Sequence, residues 1–159
     1  MNFNYTNNIK LNYGLHKTSK LIHIHGELNN PKNPIIFGYG DELDEKYILI
    51  EQLNNNEYLK NIKSIKYLQS RSYQELLTFI NSDKYQIFIM GHSCGISDRT
   101  LLNKIFEHQN CILIKPFYYK KDDGTDNYTD LTINISRNFK DKSLFRERVV
   151  NYLDCESLT

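Results

Sequence analysis

The stretch that decides the fold is residues 85–98, which read Tyr-Gln-Ile-Phe-Ile-Met-Gly-His-Ser-Cys-Gly-Ile-Ser-Asp. Its first part, Tyr85–Met90, is a nearly continuous apolar run and predicts a strand buried on both faces. Small residues follow, and residues 98–108 then carry leucine, isoleucine and phenylalanine on one helical face. A second apolar run, Cys111–Phe117, predicts the next buried strand. This order of helix and strand is typical of a parallel α/β sheet.

Short apolar runs and helical periodicity predict the remaining elements. Strands are expected at Leu21–His25 and Ile35–Phe37, and helices at Asp44–Leu53, Glu57–Leu68, Tyr73–Ile80 (after a capping box that begins at Ser72), Leu131–Phe139 and Ser143–Leu153. Residues 131–139 also fit an alternating strand, although helix is preferred. The expected fold class is therefore α/β: an incomplete Rossmann-like domain of three layers, with a short, mainly parallel sheet of about four strands. Residues 1–159 are expected to form a single α/β domain.

Composition excludes several classes of protein. The 159 residues are 40% hydrophobic and 25% charged, with a formal net charge of +1. These values are ordinary for a globular domain, and they argue against direct binding of nucleic acid or a membrane surface. The first eight residues contain no apolar segment typical of a secretory signal. The three cysteines form no Cys-x-x-Cys motif, which favours reduced thiols and a cytoplasmic location.

The turn after the first buried strand is a candidate ligand site. Ligands of open α/β sheets bind at the carboxyl ends of the strands. The turn contains Gly91 and Gly95 and leads into a helix that Ser97 or Asp98 is expected to cap. Backbone N–H groups at such a helix start favour an anion such as a phosphate. The alternative is a tight structural turn that needs glycine only for its backbone angles.

The same turn also matches the Gly-x-Ser-x-Gly pattern of a hydrolase nucleophile elbow, with Ser93 as the nucleophile. That fold places its acid and its histidine later in the chain, and His108 is the histidine that follows Ser93. Because His108 comes near the end of the adjoining helix, it is about 15 Å from the elbow at the helical rise of about 1.5 Å per residue. Serine hydrolysis therefore remains a minor alternative.

Two histidines, His23 and His25, are separated by one residue in a predicted strand and so share a face. Two imidazoles alone are a weak signal for a metal, and no metal is expected. His25 precedes Gly26 at the predicted strand end, where a general base could meet a ligand. The alternative is a hydrogen-bonded structural histidine.

Six short stretches occur in an order that matches a known family. They are Phe3–Thr6 (Phe-Asn-Tyr-Thr), His23–Gly26 (His-Ile-His-Gly), Ile36–Glu42 (Ile-Phe-Gly-Tyr-Gly-Asp-Glu), Gly91–Asp98 (Gly-His-Ser-Cys-Gly-Ile-Ser-Asp), Ile135–Phe139 (Ile-Ser-Arg-Asn-Phe) and Arg146–Asn151 (Arg-Glu-Arg-Val-Val-Asn). Together they resemble the abortive-infection AbiH family, which is associated with bacterial defence against phage. The motif order is in turn similar to that of sirtuin-like domains that consume NAD.

The resemblance implies roles for individual residues. Asn4 would orient the nicotinamide ribose or the attacking water, and His25 would be the general base. The residues expected to bind the cofactor are Gly26, Gly91, His92, Ser93 and Asp98. NAD is the expected ligand, as substrate or as bound nucleotide, and NAD hydrolysis is the expected reaction of the full-length form.

The resemblance also implies a missing segment. AbiH-like proteins resemble one another in an N-terminal Gly-Asn-Gly-Phe-Asp motif, which this sequence lacks. The chain is therefore expected to be the C-terminal part of a longer protein, inactive alone, that recruits the missing half or associates with itself. An alternative from another class is a non-catalytic binding or regulatory remnant that acts through a partner chain.

Overall fold

The computed structural model describes residues 1–6, 8–9, 16–39 and 42–158. Two units each have their own internal contacts: unit 1 is Met1–Phe79 and unit 2 is Ile80–Thr159. Their elements, in chain order, are α1 Glu45–Gln52, α2 Asn56–Leu59, α3 Lys63–Tyr67, α4 Ser72–Ser82, β1 Tyr85–Ile89, α5 Arg99–Phe106, β2 Cys111–Pro116, α6 Tyr128–Arg137 and α7 Lys142–Arg148. Short 3₁₀ helices cover Ile96–Asp98 and Tyr152–Asp154. The prediction that residues 1–159 form a single domain stays a prediction.

Unit 2 is built on a parallel pair of strands, β1 and β2, in which Ile87 is opposite Ile114 and Ile89 is opposite Pro116. The chain passes from β1 through the first 3₁₀ helix and α5 to β2, as the apolar runs predict. Beyond β2, Val149 forms a single parallel bridge with Ile114. The α/β class and the parallel sheet are therefore confirmed, whereas the Rossmann-like, sirtuin-like arrangement of layers stays a prediction.

Helices cover β2 and enclose the core of unit 2, because α5, α6 and α7 all contact that strand. Helix α5 buries four side chains, as its helical spacing predicts: Leu101, Leu102, Ile105 and Phe106. Phe139 stacks on Phe106 with ring centroids 5.6 Å apart. Residues 131–139 are helical up to Arg137, which confirms the preferred prediction for this segment.

Unit 1 contains short helices and single bridges. Helices α1 and α2 begin after Asp44 and Asn55, whose side chains accept hydrogen bonds from backbone N–H groups in the first turn. Asn2 forms a parallel bridge with His23, and Tyr39 forms one with Ile62. The core of this unit consists of buried apolar side chains, which include Ile22, Ile24, Ile36, Ile62, Tyr67 and Leu76.

The predicted strands of unit 1 were wrong. Residues 21–25 contain one bridge residue, His23, and the chain then turns, with the Gly26 N–H donating to the His23 carbonyl at 3.2 Å. Residues 35–37 form no strand, although the Ile36 N–H donates to the His25 carbonyl at 2.9 Å. In the described residues the sheet therefore has two strands, β1 and β2, where about four were expected. The segments are apolar, but each is too short and too close to a turn to continue a ladder.

Two predicted helices are interrupted. Residues 57–68 divide into α2 and α3, because residues 60–62 form a turn whose Ile62 N–H donates to the Leu59 carbonyl. Residues 143–153 contain α7, which ends at Arg148, and the second 3₁₀ helix. Val149 leaves the helix because its backbone is extended and bridges β2.

Burial of β1 on both faces was also wrong. Phe88 is 54% exposed and Met90, just after the strand, is 61% exposed, whereas Tyr85 and Ile89 are buried. Alternate residues of a strand point to opposite faces, so one face of β1 packs on the core and the other meets solvent. A continuous apolar run does not distinguish this arrangement from a fully buried strand.

Two further observations bear on the sequence predictions. Within the ranges described, no helix is long and apolar enough to cross a membrane. Gly40 and Asp41, which belong to the quoted stretch Ile36–Glu42, lie outside the described residues.

Candidate functional site

A cavity of about 220 Å³ lies at the carboxyl ends of β1 and β2 in unit 2. Residues that follow both strands line it together with residues of α6: Gly91, His92, Ser93, Phe117, Tyr119, Asn127, Asp130, Leu131, Asn134 and Leu158. This is the position at which open α/β sheets bind ligands. The structure therefore brings together Gly91, His92 and Ser93, three of the residues predicted to bind a cofactor.

Two residues give the loop after β1 its shape. Gly91 has a left-handed backbone with φ of +69°, and a Cβ there would meet no atom within 4 Å. Glycine is thus required by the backbone angle, while the space beside it stays open for a ligand to approach the main chain. Cys94 also has positive φ, +53°, which costs a non-glycine residue strain.

The His92 side chain contacts two other residues of the loop. Its Nδ1 accepts a hydrogen bond from the Cys94 N–H at 3.1 Å, and its Nε2 lies 3.6 Å from Asp98 Oδ2. Asp98 was predicted as a helix cap and a cofactor ligand. It precedes α5, but its side chain makes no capping hydrogen bond and is directed to His92. Asp98 is therefore the N-cap residue of α5 by position, as predicted, while among the described residues its carboxylate approaches His92 rather than a backbone N–H of the first turn.

Burial makes the Cys94 thiol a poor nucleophile. Its side chain is 1% exposed. Desolvation, with a smaller contribution from the Asp98 charge, raises the pKa of the Cys94 thiol to about 12. Because the thiolate is the nucleophilic form, this cysteine has a structural role in the loop.

Two asparagines fasten the loop to α6, and sequence reasoning missed both. Asn134 Nδ2 donates to the Ser93 carbonyl at 3.1 Å. Asn138, which is 1% exposed, donates from Nδ2 to the Cys94 carbonyl and to the Asn134 carbonyl, each at 2.8 Å. The sequence signal was their spacing of four residues on one face of a helix, next to a loop rich in small residues.

Helix α6 also presents a polar stripe to the cavity, formed by Asn127, Asp130 and Asn134 at helical spacing. Asn127 Oδ1 accepts from the Tyr119 N–H at 2.7 Å, so the helix start is fixed to the segment after β2. The carboxylate of Asp130 has no hydrogen-bond or ion-pair partner among the described residues. Sequence reasoning missed Asp130 as well.

The geometry gives the hydrolase alternative no support. In a nucleophile elbow the serine itself has the strained backbone, whereas here the strained residue is Cys94 and Ser93 has no positive φ. His108 follows the C-terminal end of α5, whereas the loop leads into its N-terminal end, and His108 Nε2 lies 3.2 Å from Asn81 Oδ1. No hydrogen bond joins Ser93 Oγ to a histidine within the described ranges.

In unit 1, His25 lies in an aromatic cluster. The ring is 5% exposed and stacks on Tyr67, with ring planes 5° apart, while Phe3 meets it edge-on at 5.2 Å. His25 Nε2 lies 3.2 Å from the Tyr67 hydroxyl. Tyr67 in turn stacks on Tyr73. The predicted general base is therefore a buried histidine that shares a hydrogen bond with a tyrosine.

The other predicted residues of unit 1 have different surroundings. Asn4 is exposed, and its backbone carbonyl lies 3.1 Å from His23 Nδ1. His23 is buried, and its Nε2 has no hydrogen-bond partner in the part of the chain that the structure describes. Gly26 has φ of +86°, and a Cβ there would lie 2.2 Å from the Pro34 carbonyl oxygen. The close approach at Gly26 is thus to the chain itself, and its contact with a cofactor stays a prediction.

Metal binding by His23 and His25 would need a further ligand. Among the residues that the structure describes, no group of three or more histidine, cysteine, aspartate or glutamate side chains could hold a metal ion. The metal alternative for this pair therefore gains nothing from the geometry.

Comparison with known proteins gives one result. The family model described as "Bacteriophage abortive infection AbiH" matches residues 1–119. The match covers the first four of the six stretches quoted above, including the loop at residues 91–98. The other two, Ile135–Phe139 and Arg146–Asn151, lie beyond it. Neither a curated protein nor a solved structure matches the chain. Since the match includes well over half of the sequence, the chain belongs to the bacteriophage abortive infection AbiH family.

Proposed function

We propose that this AbiH-family protein acts in phage defence by binding a nucleotide, NAD, in the cavity at the carboxyl ends of β1 and β2. Family membership indicates the role in abortive infection of phage. The observation that supports the ligand is the cavity itself, whose wall includes the open left-handed turn at Gly91. A side chain at this position would obstruct the approach of a ligand to the backbone, and glycine removes that obstacle.

The size of the cavity limits how much of the ligand it holds. Pockets for small molecules are usually about 300–1,000 Å³. At about 220 Å³, this cavity suits one nucleoside part of a dinucleotide, with the rest of the ligand outside it. Its walls combine aromatic and aliphatic side chains with a few polar groups, as is usual for ligand pockets.

The proposed reaction of the full-length form is hydrolysis of NAD. Water adds to the C1′ carbon of the nicotinamide ribose, the bond to nicotinamide breaks, and nicotinamide and ADP-ribose leave. His25 is the proposed general base that takes the proton of the water, and Asn4 is proposed to orient the ribose or the water. The Tyr67 hydroxyl, 3.2 Å from His25 Nε2, would fix the orientation of the ring.

Isothermal titration of the chain with NAD tests the proposal. The wild-type chain should show saturable binding, and Gly91→Val should abolish it, because a β-branched side chain both strains the turn and enters the cavity. Gly124→Val is the matched control: Gly124 also has positive φ, +83°, and open space around its Cβ, but it does not line the cavity. Absence of NAD binding by the folded wild-type chain would contradict the proposal.

A second candidate function is that of a non-catalytic binding protein that acts through a partner chain. Unit 1 exposes large apolar side chains, among them Phe37 (66% exposed) and Leu68 (74% exposed), and such residues favour association. Light scattering of the purified chain tests this candidate by its mass. A monomer at all concentrations that also cleaves NAD would contradict it.

A further inference from the structure

We propose, on the basis of the nucleotide-binding function above, that the cavity recognises the ribose of the ligand and leaves the phosphates outside. Asp130 accepts hydrogen bonds from the two vicinal ribose hydroxyls, and aromatic side chains flank the base. This assigns Asp130, a residue that the sequence motifs did not include, as the binding residue that determines the class of ligand.

The free hydrogen-bonding groups of the cavity carry this assignment. The Asp130 carboxylate and the Ser93 hydroxyl have no hydrogen-bond partner among the described residues, and the Asn127 amide uses its oxygen for the Tyr119 N–H. By contrast, Asn134 is occupied at both ends, by the Ser93 carbonyl and by Arg137. The cavity wall therefore includes two acceptor oxygens on the exposed Asp130 carboxylate, together with the exposed Ser93 hydroxyl and the amide N–H of Asn127.

Charge distinguishes between a sugar and a phosphate as the group that enters. Among the described lining residues none is lysine or arginine, and Asp130 is negative. A diphosphate beside Asp130 would meet a like charge with no cation between them, which is unfavourable. A carboxylate is instead a strong acceptor for hydroxyl donors, and the acidic residue of dinucleotide-binding folds contacts ribose hydroxyls in this way.

The remaining walls suit an aromatic base. Phe117 and Tyr119 follow β2 and line the cavity with Leu131 and Leu158. The Phe117 ring contacts the Phe88 ring, with centroids 6.3 Å apart, and Lys115 Nζ lies 5.5 Å from its centroid. Flat aromatic rings stack on bases, and alanine substitution of such a ring costs about 1–3 kcal/mol per base.

One helix connects the two sides of the site that would meet the sugar. Asp130 lies in the first turn of α6, and the same helix holds the Ser93 carbonyl through Asn134. The backbone of Asp130 and the serine loop are thus linked, so the distance between them is set before a ligand binds.

Titration with four probes tests the inference: NAD, adenosine, 2′,3′-dideoxyadenosine and inorganic pyrophosphate. The wild-type chain should bind NAD and adenosine with affinities within tenfold, bind the dideoxy compound at least tenfold more weakly, and not bind pyrophosphate. Equal binding of adenosine and its dideoxy analogue would overturn the inference, and NAD binding would still stand. Failure of all four probes to bind would overturn both the inference and the proposed function.

A charge variant makes the test specific to Asp130. Asp130→Asn should weaken adenosine binding about tenfold, since an amide is a weaker acceptor than a carboxylate. The matched control is Asp122→Asn, which makes the same change of charge at an exposed position that does not line the cavity. Stronger binding of pyrophosphate by Asp130→Asn, with adenosine binding unchanged, would overturn the inference in favour of a phosphate site.

Discussion

Asn138 should be the residue on which the shape of the Gly91–Asp98 loop depends most. Its side chain is 1% exposed, and its Nδ2 donates to two backbone carbonyls, those of Cys94 and Asn134. Replacement by alanine removes both donors and leaves the Cys94 carbonyl buried beside a gap. The Asn134 carbonyl is less deeply buried, so water can replace part of its lost bond.

The expected loss follows from these surroundings. A buried polar group without a partner costs about 1–3 kcal/mol, and we expect Asn138→Ala to lower the free energy of unfolding by about 2 kcal/mol. This value is below the sum for two carbonyls because, among the described residues, Asn138 Oδ1 has no hydrogen-bond partner itself, so its removal relieves part of the cost. Asn138→Asp should lose more, since a carboxylate would face the two carbonyl oxygens that now accept its hydrogen bonds.

Urea unfolding followed by circular dichroism measures the loss. Asn134→Ala is the control, because it removes two exposed bonds, one to the Ser93 carbonyl and one from the Arg137 guanidinium, and should cost no more than about 1 kcal/mol. If Asn138→Ala lowers the free energy of unfolding by less than Asn134→Ala does, the buried carboxamide is not the group that fastens the loop. Equal stability of Asn138→Asp and wild type would refute the assigned direction of the hydrogen bonds.

Three further predictions concern other residues. Burial raises the pKa of the Cys94 thiol from 9.0 to about 12, so its contribution to stability is complete below pH 9 and is lost as the pH rises toward 12. In urea unfolding between pH 8 and 11, the free energy of unfolding should therefore decline less steeply with pH for Cys94→Ala than for the wild type, and identical slopes would contradict this. In a form of the protein that cleaves NAD, His25→Ala should slow the release of nicotinamide about 10²–10⁴-fold, and His23→Ala should slow it much less; equal losses in two folded proteins would favour a metal site. Gly26→Ala should destabilise the chain more than Gly124→Ala, because a Cβ at Gly26 would lie 2.2 Å from the Pro34 carbonyl oxygen. Gly124→Ala should cost only the strain of a left-handed backbone, about 1–2 kcal/mol. Equal losses on urea unfolding would count against the close contact at Gly26.

The sequence predicts unit 2 better than unit 1, for a physical reason. Strands β1 and β2 are apolar runs of five or six residues, long enough to carry a parallel ladder, and α5 has a full apolar face. The segments at residues 21–25 and 35–37 are equally apolar, yet Gly26 turns the chain before a ladder can form. Their side chains are buried by contacts between distant segments, which local periodicity does not record.

The residues of the candidate site also differ in how well the sequence predicts them. Gly91, His92 and Ser93 were predictable because a strand that ends in a small-residue turn places them at the carboxyl edge of the sheet. Asp130, Asn134 and Asn138 were not, because polar residues on a helix usually indicate a solvent-exposed face. Their importance comes from bonds to Ser93 and Cys94, about forty positions away, and from the cavity that α6 closes.

An NMR titration of the ¹⁵N-labelled chain with adenosine shows whether the ligand enters this cavity, because each backbone amide reports its own surroundings. Saturable shifts are expected at the amides of Gly91, Ser93 and Asp130, with the Gly124 amide unchanged. Shifts confined to residues that do not line the cavity, or no saturable shift at any amide, would contradict the proposed ligand site.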